Sequence, residues 1–435
     1  NAITFLLIIP LALVFFAKQT WVQALKNTLP FLGAAILFLV LRGQVIGWSF
    51  GDAPRELLNN PFLKIVGNQY VDFSPGEKLA TILFTLGKYA QLLFFPHPLT
   101  HDYYPRHIDI MHFGDWQVLL SLVFYLTLFA LAIAGFRKRK VWAFGVLYYL
   151  ITLSIVSNIV FPIGTNMSER FMYMPSLGWS IALGSLFVYL LDYNKNLVWI
   201  ILGCVALALS MRTVMRNPVW KDNYTLFTTD IQTSQKSAKL LAATGGELVT
   251  QFGTKPQSPE RDTHLHEALD YLHRAQAIHP NYKLSYLLEG NAQFYLKNWD
   301  ESIAAYQRVL ALSPDDADAK RNLGIAYRDA GRYFGEQQND VMKAIKYLSE
   351  AIKILPDDYE TVHAMGVAYG IGGNPVQAIN YFKRGVELQP DNATAHFNLG
   401  LAYQRVGDTI NAQKHRDHAV ALDPQILERR KSGGQ

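Results

Sequence analysis

Two short stretches of this chain gather residues that can do chemistry. The first is HPLTHDYYPRHIDIMHFGDW, residues 97–116, with four histidines (His97, His101, His107, His112) and three aspartates (Asp102, Asp109, Asp115). A third of the chain's 12 histidines fall within 16 positions. Imidazoles and carboxylates at that density can hold a divalent metal, position an acceptor hydroxyl, or form a solvated polar loop. The second stretch is FPIGTNMSERFMYMPSLG, residues 161–178, where Glu169 and Arg170 adjoin between two apolar runs. Arg presents a rigid donor fork that matches phosphate oxygens. Glu beside it can orient a neighbouring cation, or the two can form a plain loop-stabilising salt bridge.

The elements that carry these stretches follow from composition. Of 435 residues, 50% are hydrophobic and only 17% charged, a low share for a soluble protein of this length. Residues 1–216 hold 16 Lys and Arg against 9 Asp and Glu, a balance of +7; the remainder holds 24 against 26, a balance of −2. The chain is therefore membrane-like first and soluble-like afterwards. Cys204 is the only cysteine, so neither a disulfide nor a cysteine metal site can form within the chain. Asn1 opens directly into AITFLLIIPLALVFFAK, without Met or a basic leader, and reads as the start of a C-terminal piece of a longer membrane protein.

A bilayer-spanning helix needs roughly 20 apolar residues. Segments 2–17, 28–47, 117–136, 141–160, 177–191 and 197–215 meet or nearly meet that length. A seventh, 79–96, is interrupted by Gly87, Lys88 and Gln91. Short loops rich in Lys and Arg face the cytoplasm. RKRK at 137–140, together with Lys18 and Lys26, can share that side only if 79–96 does not cross, so it reads as re-entrant or interfacial. Loop 48–116, loop 161–176 and everything past 216 are then expected outside: periplasm in a bacterium, endoplasmic-reticulum lumen in a eukaryote.

Past residue 240 the apolar runs give way to a repeat. Pro280, Pro314, Pro356, Pro390 and Pro424 are 34, 42, 34 and 34 positions apart, the 42 being a 34 with eight extra residues around FGEQQNDV, 334–341. Gly290, Gly324, Gly366 and Gly400 recur in one helix of each unit, and Ala268, Ser302, Ala344, Ala378 and Ala412 stand 12 before each proline. Small residues let two antiparallel helices approach, and Pro ends the second because it cannot continue the hydrogen-bond ladder. The period and pattern resemble tetratricopeptide repeats, which stack into a solenoid with a concave, peptide-binding face. Gly245 to Pro280 is 35 positions where Gly to Pro spans 24 in the later units without the insert, so the first unit is expected to carry about eleven extra residues as a loop near GTKPQSPERDTH. His264, His266, His273 and His279 invite a metal reading, but His264 and His266 do not share a helix face and no Cys or paired carboxylates join them. The fold class is all-α: a polytopic transmembrane domain over 1–216, a junction over 217–237, about five repeats over 238–424 and a tail over 425–435.

NAITFLLIIPLAL, LFFPHPLTHDYY, NIVFPIGTNMSERFMYMPSLGW and RNPVWKDNYTLF follow one another and lead into the repeats. In that order they resemble the transmembrane and tetratricopeptide-repeat-containing proteins, protein O-mannosyltransferases of the GT-C class. The resemblance implies a membrane enzyme that moves a sugar, typically mannose, from a polyprenyl-phosphate donor to a protein hydroxyl. It places the catalytic carboxylate upstream of residue 1, so no catalytic residue is expected here. Candidates for lipid-phosphate or substrate contact are Arg170, Glu169, Asp102, Tyr103, His97 and His101, with no metal ligand assigned and a divalent metal left open. Expected partners are membrane lipid, the polyprenyl-phosphate donor and an acceptor protein or peptide on the repeats, not nucleic acid. The rival reading is a membrane-anchored repeat scaffold without catalysis. The sequons at Asn166, Asn223 and Asn392 do not discriminate.

Overall fold

The computed structural model describes residues 2–47, 55–67 and 69–428. It is all-α apart from one small hairpin, as the sequence pattern predicts, and its contacts divide it into two compact units. The first holds the residues up to Glu247 together with Arg274–Pro280; the second holds Leu248–His273 and the residues from Asn281 onward.

The first unit is built on α1 (Phe5–Phe15), α2 (Trp21–Ile46), α3 (Pro75–Phe94), α4 (Trp116–Phe136), α5 (Val141–Ser154), α6 (Tyr173–Leu191) and α7 (Lys195–Arg216), followed by the short α8 (Asn223–Asp230). Four helical stretches among the described residues are long and apolar enough to cross a membrane: Trp21–Ile46, Trp116–Phe136, Glu169–Leu191 and Lys195–Trp220. Most of their Leu, Ile, Val and Phe side chains face outward, which suits hydrocarbon rather than water as the surround. Helix α2 starts earlier than expected, because Thr20 and Gln23 form a capping box, so Lys26 lies inside the helix and not in a loop.

Two expectations about this half are corrected and a third is sharpened. Helix α5 stops at Ser154 instead of running to 160. Ser154 and Ser157 turn their hydroxyls onto the carbonyls of Ile151 and Ser154, and Asn158 adopts a positive φ of 62°, so local side-chain bonds replace the helix ladder. The polar break of 79–96 at Gly87, Lys88 and Gln91 does not break the helix: Ser74 and Glu77 cap a continuous 20-residue α3. Gly87 serves packing, since a Cβ there would lie 3.0 Å from the Ser121 side chain of α4. Finally, β1 (Leu63–Val66) and β2 (Gln69–Asp72) form an antiparallel hairpin that the sequence reading left as loop.

Helices α5 and α6 touch backbone to backbone. A Cβ on Gly178 would stand 2.5 Å from the Tyr149 nitrogen, and one on Gly145 would stand 2.6 Å from the Ala182 nitrogen. Close crossings of this kind hold membrane helices together where no hydrophobic effect drives them. A core of Tyr89, Tyr103, Tyr149, Met167 and Met172 fills the space beside that crossing. This packing fixes the start of α6, and with it Glu169.

Helices α9 (Ala238–Phe252) and α10 (Pro259–Ile278) contribute to both units. In the second unit α11 (Lys283–Tyr295), α12 (Trp299–Leu312), α13 (Ala317–Glu336), α14 (Val341–Ile354), α15 (Tyr359–Ile371), α16 (Pro375–Leu388), α17 (Ala393–Arg405) and α18 (Thr409–Leu422) pack each on its neighbours in sequence. The spaced prolines Pro314, Pro356 and Pro390 each fall just past a helix end. Ala268, Ser302, Ala344, Ala378 and Ala412 are all buried. Cβ atoms on Gly290 and Gly366 would collide with the Tyr306 and Phe382 rings of the following helix. The eight-residue insertion lengthens a helix, giving α13 20 residues where α11, α15 and α17 have 13. The PERDTH half of the expected first-repeat loop is instead the opening turn of α10: Pro259 stands first, and the Ser258 hydroxyl accepts from Arg261 N at 3.2 Å.

Candidate functional site

Loop 97–116 is held by the elements around it. The Thr81 hydroxyl of α3 accepts from Met111 N (3.1 Å), and Asp115 accepts from His112 N (2.7 Å). The Arg106 guanidinium donates to the Leu63 carbonyl of the hairpin and lies over the Phe73 ring. On the other side Ser237 donates to the Tyr104 carbonyl (2.7 Å), and Ala238 N donates to the Pro105 carbonyl (3.2 Å). The loop is thus a clamped cap and not a solvated excursion.

Glu169 and Arg170 do not form the salt bridge that their adjacency offers. Glu169, half-buried in a short 3-10 turn before α6, accepts from Thr100 N (2.7 Å) and from the Tyr103 hydroxyl (2.8 Å). It therefore pins the 97–116 loop to the 161–172 loop, which the buried Tyr89 hydroxyl also holds by accepting from Ser168 N (3.0 Å). Arg170 is exposed, its guanidinium 5.4 Å from the Phe171 ring centre, and among the described residues no carboxylate pairs with it.

Next to this lies a pair that sequence reasoning missed. Asp230, at the end of α8 and 1% exposed, takes a two-pronged contact from Arg216 (2.5 and 2.8 Å). It also accepts from His101 N (2.8 Å) and faces His101 Nδ1 at 3.1 Å. Burial opposes its charge, but the His101 and Arg216 contacts outweigh burial and lower its carboxyl to about 2. A signal existed: Arg216 opens the RNPVW block and Asp230 follows it in one helix. Three blocks far apart in sequence, LTHDYY, SERF and RNPVW, therefore converge here.

The remaining candidates diverge. Asp102 turns toward Ser237, accepting at 2.9 Å, and burial raises its carboxyl against the opposing pull of that bond and of Lys239. Tyr103 points the other way, to Glu169, and burial raises its phenol. His97 Nδ1 accepts from Arg212 of α7 (2.9 Å), a residue not singled out before. In the repeats His264 stacks on Phe252, His266 faces the Asp262 carbonyl, His273 meets Glu289, and buried His279 meets the Tyr70 hydroxyl. Among the described residues no three His, Cys, Asp or Glu side chains stand ready to hold a metal. Of the sequons, Asn166 is buried and Asn392 caps α17.

A cavity of mixed lining, about 300 Å³, opens beside the clamp, with His97, Tyr103, His107, Asp109 and Lys88 among its walls together with Phe84, Leu92, Ile108 and Met167. Burial first, and Lys88 after it, lower the His107 imidazole, which is therefore neutral near pH 7. An apolar cleft of about 520 Å³ between α3 and α4, with Phe94, Trp116, Leu120 and Phe124, shares Phe84, Lys88, Gln91 and Gln117 with that cavity. Lys88 stands at the seam, its ammonium donating to the Gln91 side chain (3.1 Å), and among the described residues no carboxylate neutralises it. The sequence reading counted this lysine only as an interruption.

Comparison with known proteins agrees with this order of parts. Residues 290–331 and 373–407 match the family described as TPR repeat. The chain is 25% identical to protein O-mannosyl-transferase TMTC3 of Mus musculus over 349 residues, 77% of this chain and 36% of that protein. The Homo sapiens counterpart matches with the same identity and coverage, and the Drosophila melanogaster protein O-mannosyl-transferase Tmtc3 is 29% identical over 163 residues, 36% of this chain and 16% of the relative. The chain thus spans about a third of the length of the mammalian relatives. Among solved structures it is similar to YrrB, described as a TPR protein with an unusual peptide-binding site: TM-score 0.34, 18% identity, 48% of this chain and 98% of that one. Over most of its length the chain is thus similar to protein O-mannosyl-transferases of the TMTC kind, and within the repeats it matches the TPR family.

Proposed function

We propose that this protein serves a membrane glycosyltransferase that moves a sugar, mannose by kinship, from a polyprenyl-phosphate donor to Ser or Thr hydroxyls of an acceptor protein. The observation that carries the reading is a cavity with His97, His107 and Lys88 in its wall that runs into an apolar cleft, with an unneutralised ammonium at the seam. A lipid phosphate has that polarity: a long apolar chain ending in an anion. When the sugar leaves, negative charge builds on the phosphate, and fixed cations lower the barrier. Lys88 at the seam and the exposed, unpaired Arg170 are the cations suited to that work. Arg170 was singled out for its fork, Lys88 for its place. Glu169 acts by holding Thr100 and Tyr103 at the cavity wall, and is a positioning residue. The acceptor polypeptide is recruited by the repeats, which on the basic-loop argument lie on the exterior side.

The test uses the whole chain in nanodiscs titrated with a polyprenyl phosphate. We expect saturable binding that Lys88→Gln and Arg170→Ala each weaken, Arg170→Lys less than Arg170→Ala. No binding, or equal binding by all variants, would remove this reading. Sidedness is tested by a cysteine at exposed Thr254 in a Cys204→Ala background, which should react with an impermeant thiol reagent on intact cells. Reaction only after permeabilisation would place the repeats inside.

A further inference from the structure

The helical hairpins α1–α2 and α4–α5 carry no acidic residue: neither Asp nor Glu occurs in residues 1–51 or 116–168. Their connecting loops hold Lys18 and, in a row, Arg137, Lys138, Arg139 and Lys140, all exposed, with exposed Lys26 early in α2. The two loops lie side by side. The Trp21 ring stacks on Phe136 with 5.9 Å between centres and 17° between planes, and Phe16 meets Phe144 at 4.8 Å. Both turns are tight: Lys18 and Arg139 have φ of 56° and 46°, and Arg139 N and Lys140 N donate back to the Phe136 and Gly135 carbonyls. Among the described residues no carboxylate pairs with any of these six cations. The antiparallel α5–α6 crossing puts the α6–α7 connection at the same end, where Asp192 and Lys195 cancel and add no net charge.

Aromatic rings favour the headgroup level of a bilayer, and Lys and Arg stems run along apolar surface to reach it. Trp21 and Phe16 are exposed beside the cations, where α2 begins and α4 ends, and both helices are long enough to cross. Cations that only orient insertion need not be gathered; here ring packing locks two loops into one patch. We infer that the joined loops form a binding surface for anionic phospholipid, its headgroup phosphate held among Lys18 and Arg137–Lys140 and its acyl chains lying against Trp21 and Phe16. Arg137 and Arg139 bring forks that can take phosphate oxygens in pairs, and the lysines add point charge. Each cation near an anionic headgroup layer favours it about fivefold. The surface is distinct from the one proposed for the donor phosphate: the cavity by Lys88 borders the first turn of α4, and the patch follows its last.

The experiment titrates the whole chain in mixed micelles with dansyl-labelled phosphatidylglycerol and, separately, dansyl-labelled phosphatidylcholine, read by energy transfer from tryptophan. Phosphatidylglycerol should bind about tenfold tighter or more. Arg137→Gln, Lys138→Gln, Arg139→Gln and Lys140→Gln together should remove that preference and keep the folded size-exclusion peak, because all four side chains are exposed. Lys221→Gln, at an exposed cation past α7, should leave the preference intact, and inorganic phosphate should not displace the lipid. Equal binding of the two lipids, a preference that the fourfold variant retains, a loss that Lys221→Gln shares, or displacement by inorganic phosphate would overturn the surface.

Discussion

The two units solve the same packing problem with partners at very different sequence distances. In the repeats a side chain meets its partner one helix away: Ser302 donates to the Gly290 carbonyl 12 positions back, and Tyr306 to Asn291 15 back. In the membrane unit the contacts that define the candidate site span 66 positions for Tyr103 to Glu169, 129 for His101 to Asp230 and 135 for Asp102 to Ser237. A short period repeats itself and can be read from one strand of letters. A clamp made by three distant loops cannot.

That contrast can be broken first at the α5–α6 crossing. Gly178→Val drives a branched side chain into the Tyr149 and Gly145 backbone, where nothing can yield. Overpacking costs typically 1–3 kcal/mol and more against rigid backbone, so we expect the detergent-solubilised protein to lose its folded peak on size exclusion. Gly400→Ala in the repeats meets its neighbours only at 3.1 Å and should lower the melting temperature by a few degrees at most, the scale of about 1 kcal/mol or less in a domain this size. Equal effects at the two glycines would erase the comparison.

Next is the buried pair. Asp230→Asn leaves Arg216 facing a neutral amide, and breaking a buried pair costs about 3–5 kcal/mol when neither side is solvated; Arg216 is partly open, so the lower end is expected, read by thermal melts. The pH sign follows from the depressed carboxyl. Its folded value of about 2 lies below the ordinary 3.8, so its contribution is present above about pH 5 and drains away as pH falls toward 2. Asp230→Asn should flatten that acid limb; a parent and variant with the same acid profile would count against the pair. The smallest effects come from single hydrogen bonds. Tyr103→Phe removes one donor from Glu169 and should cost about 1–3 kcal/mol, because a half-buried carboxylate is left short of a partner. Ser302→Ala should cost about 1 kcal/mol or less, since the Gly290 carbonyl stays in its helix ladder.

Legibility tracked that distance. The all-α class, the apolar helices and the repeat pitch were readable because period and composition repeat over many residues. Pro259 and the residues after it were read as loop, and the eight extra residues near 334–341 were located without a conformation, since length alone does not say whether an insert extends a helix. Glu169 and Arg170 stood out in the sequence, yet their adjacency suggested a pair, and the fold sends one inward to Tyr103 and the other outward. Arg216 was quoted within its block without a role, for its partner Asp230 declares itself only after α8 folds back. Lys88 looked like a flaw in a helix because a lone cation in an apolar run has no meaning until its cavity is seen.

The central claim is that a lipid phosphate seats its head by Lys88 and its chain between α3 and α4. A photoactivatable polyprenyl phosphate, with the reactive group in the chain near the phosphate, tests it directly in nanodiscs holding the whole chain. After irradiation and peptide mapping, labels should concentrate on 84–94 of α3 and 116–124 of α4, and excess unlabelled polyprenyl phosphate should compete them away. Labels spread evenly over the outward faces of α2 and α7, unaffected by competitor, would mean that the cleft is ordinary lipid-facing surface, and the account would be wrong.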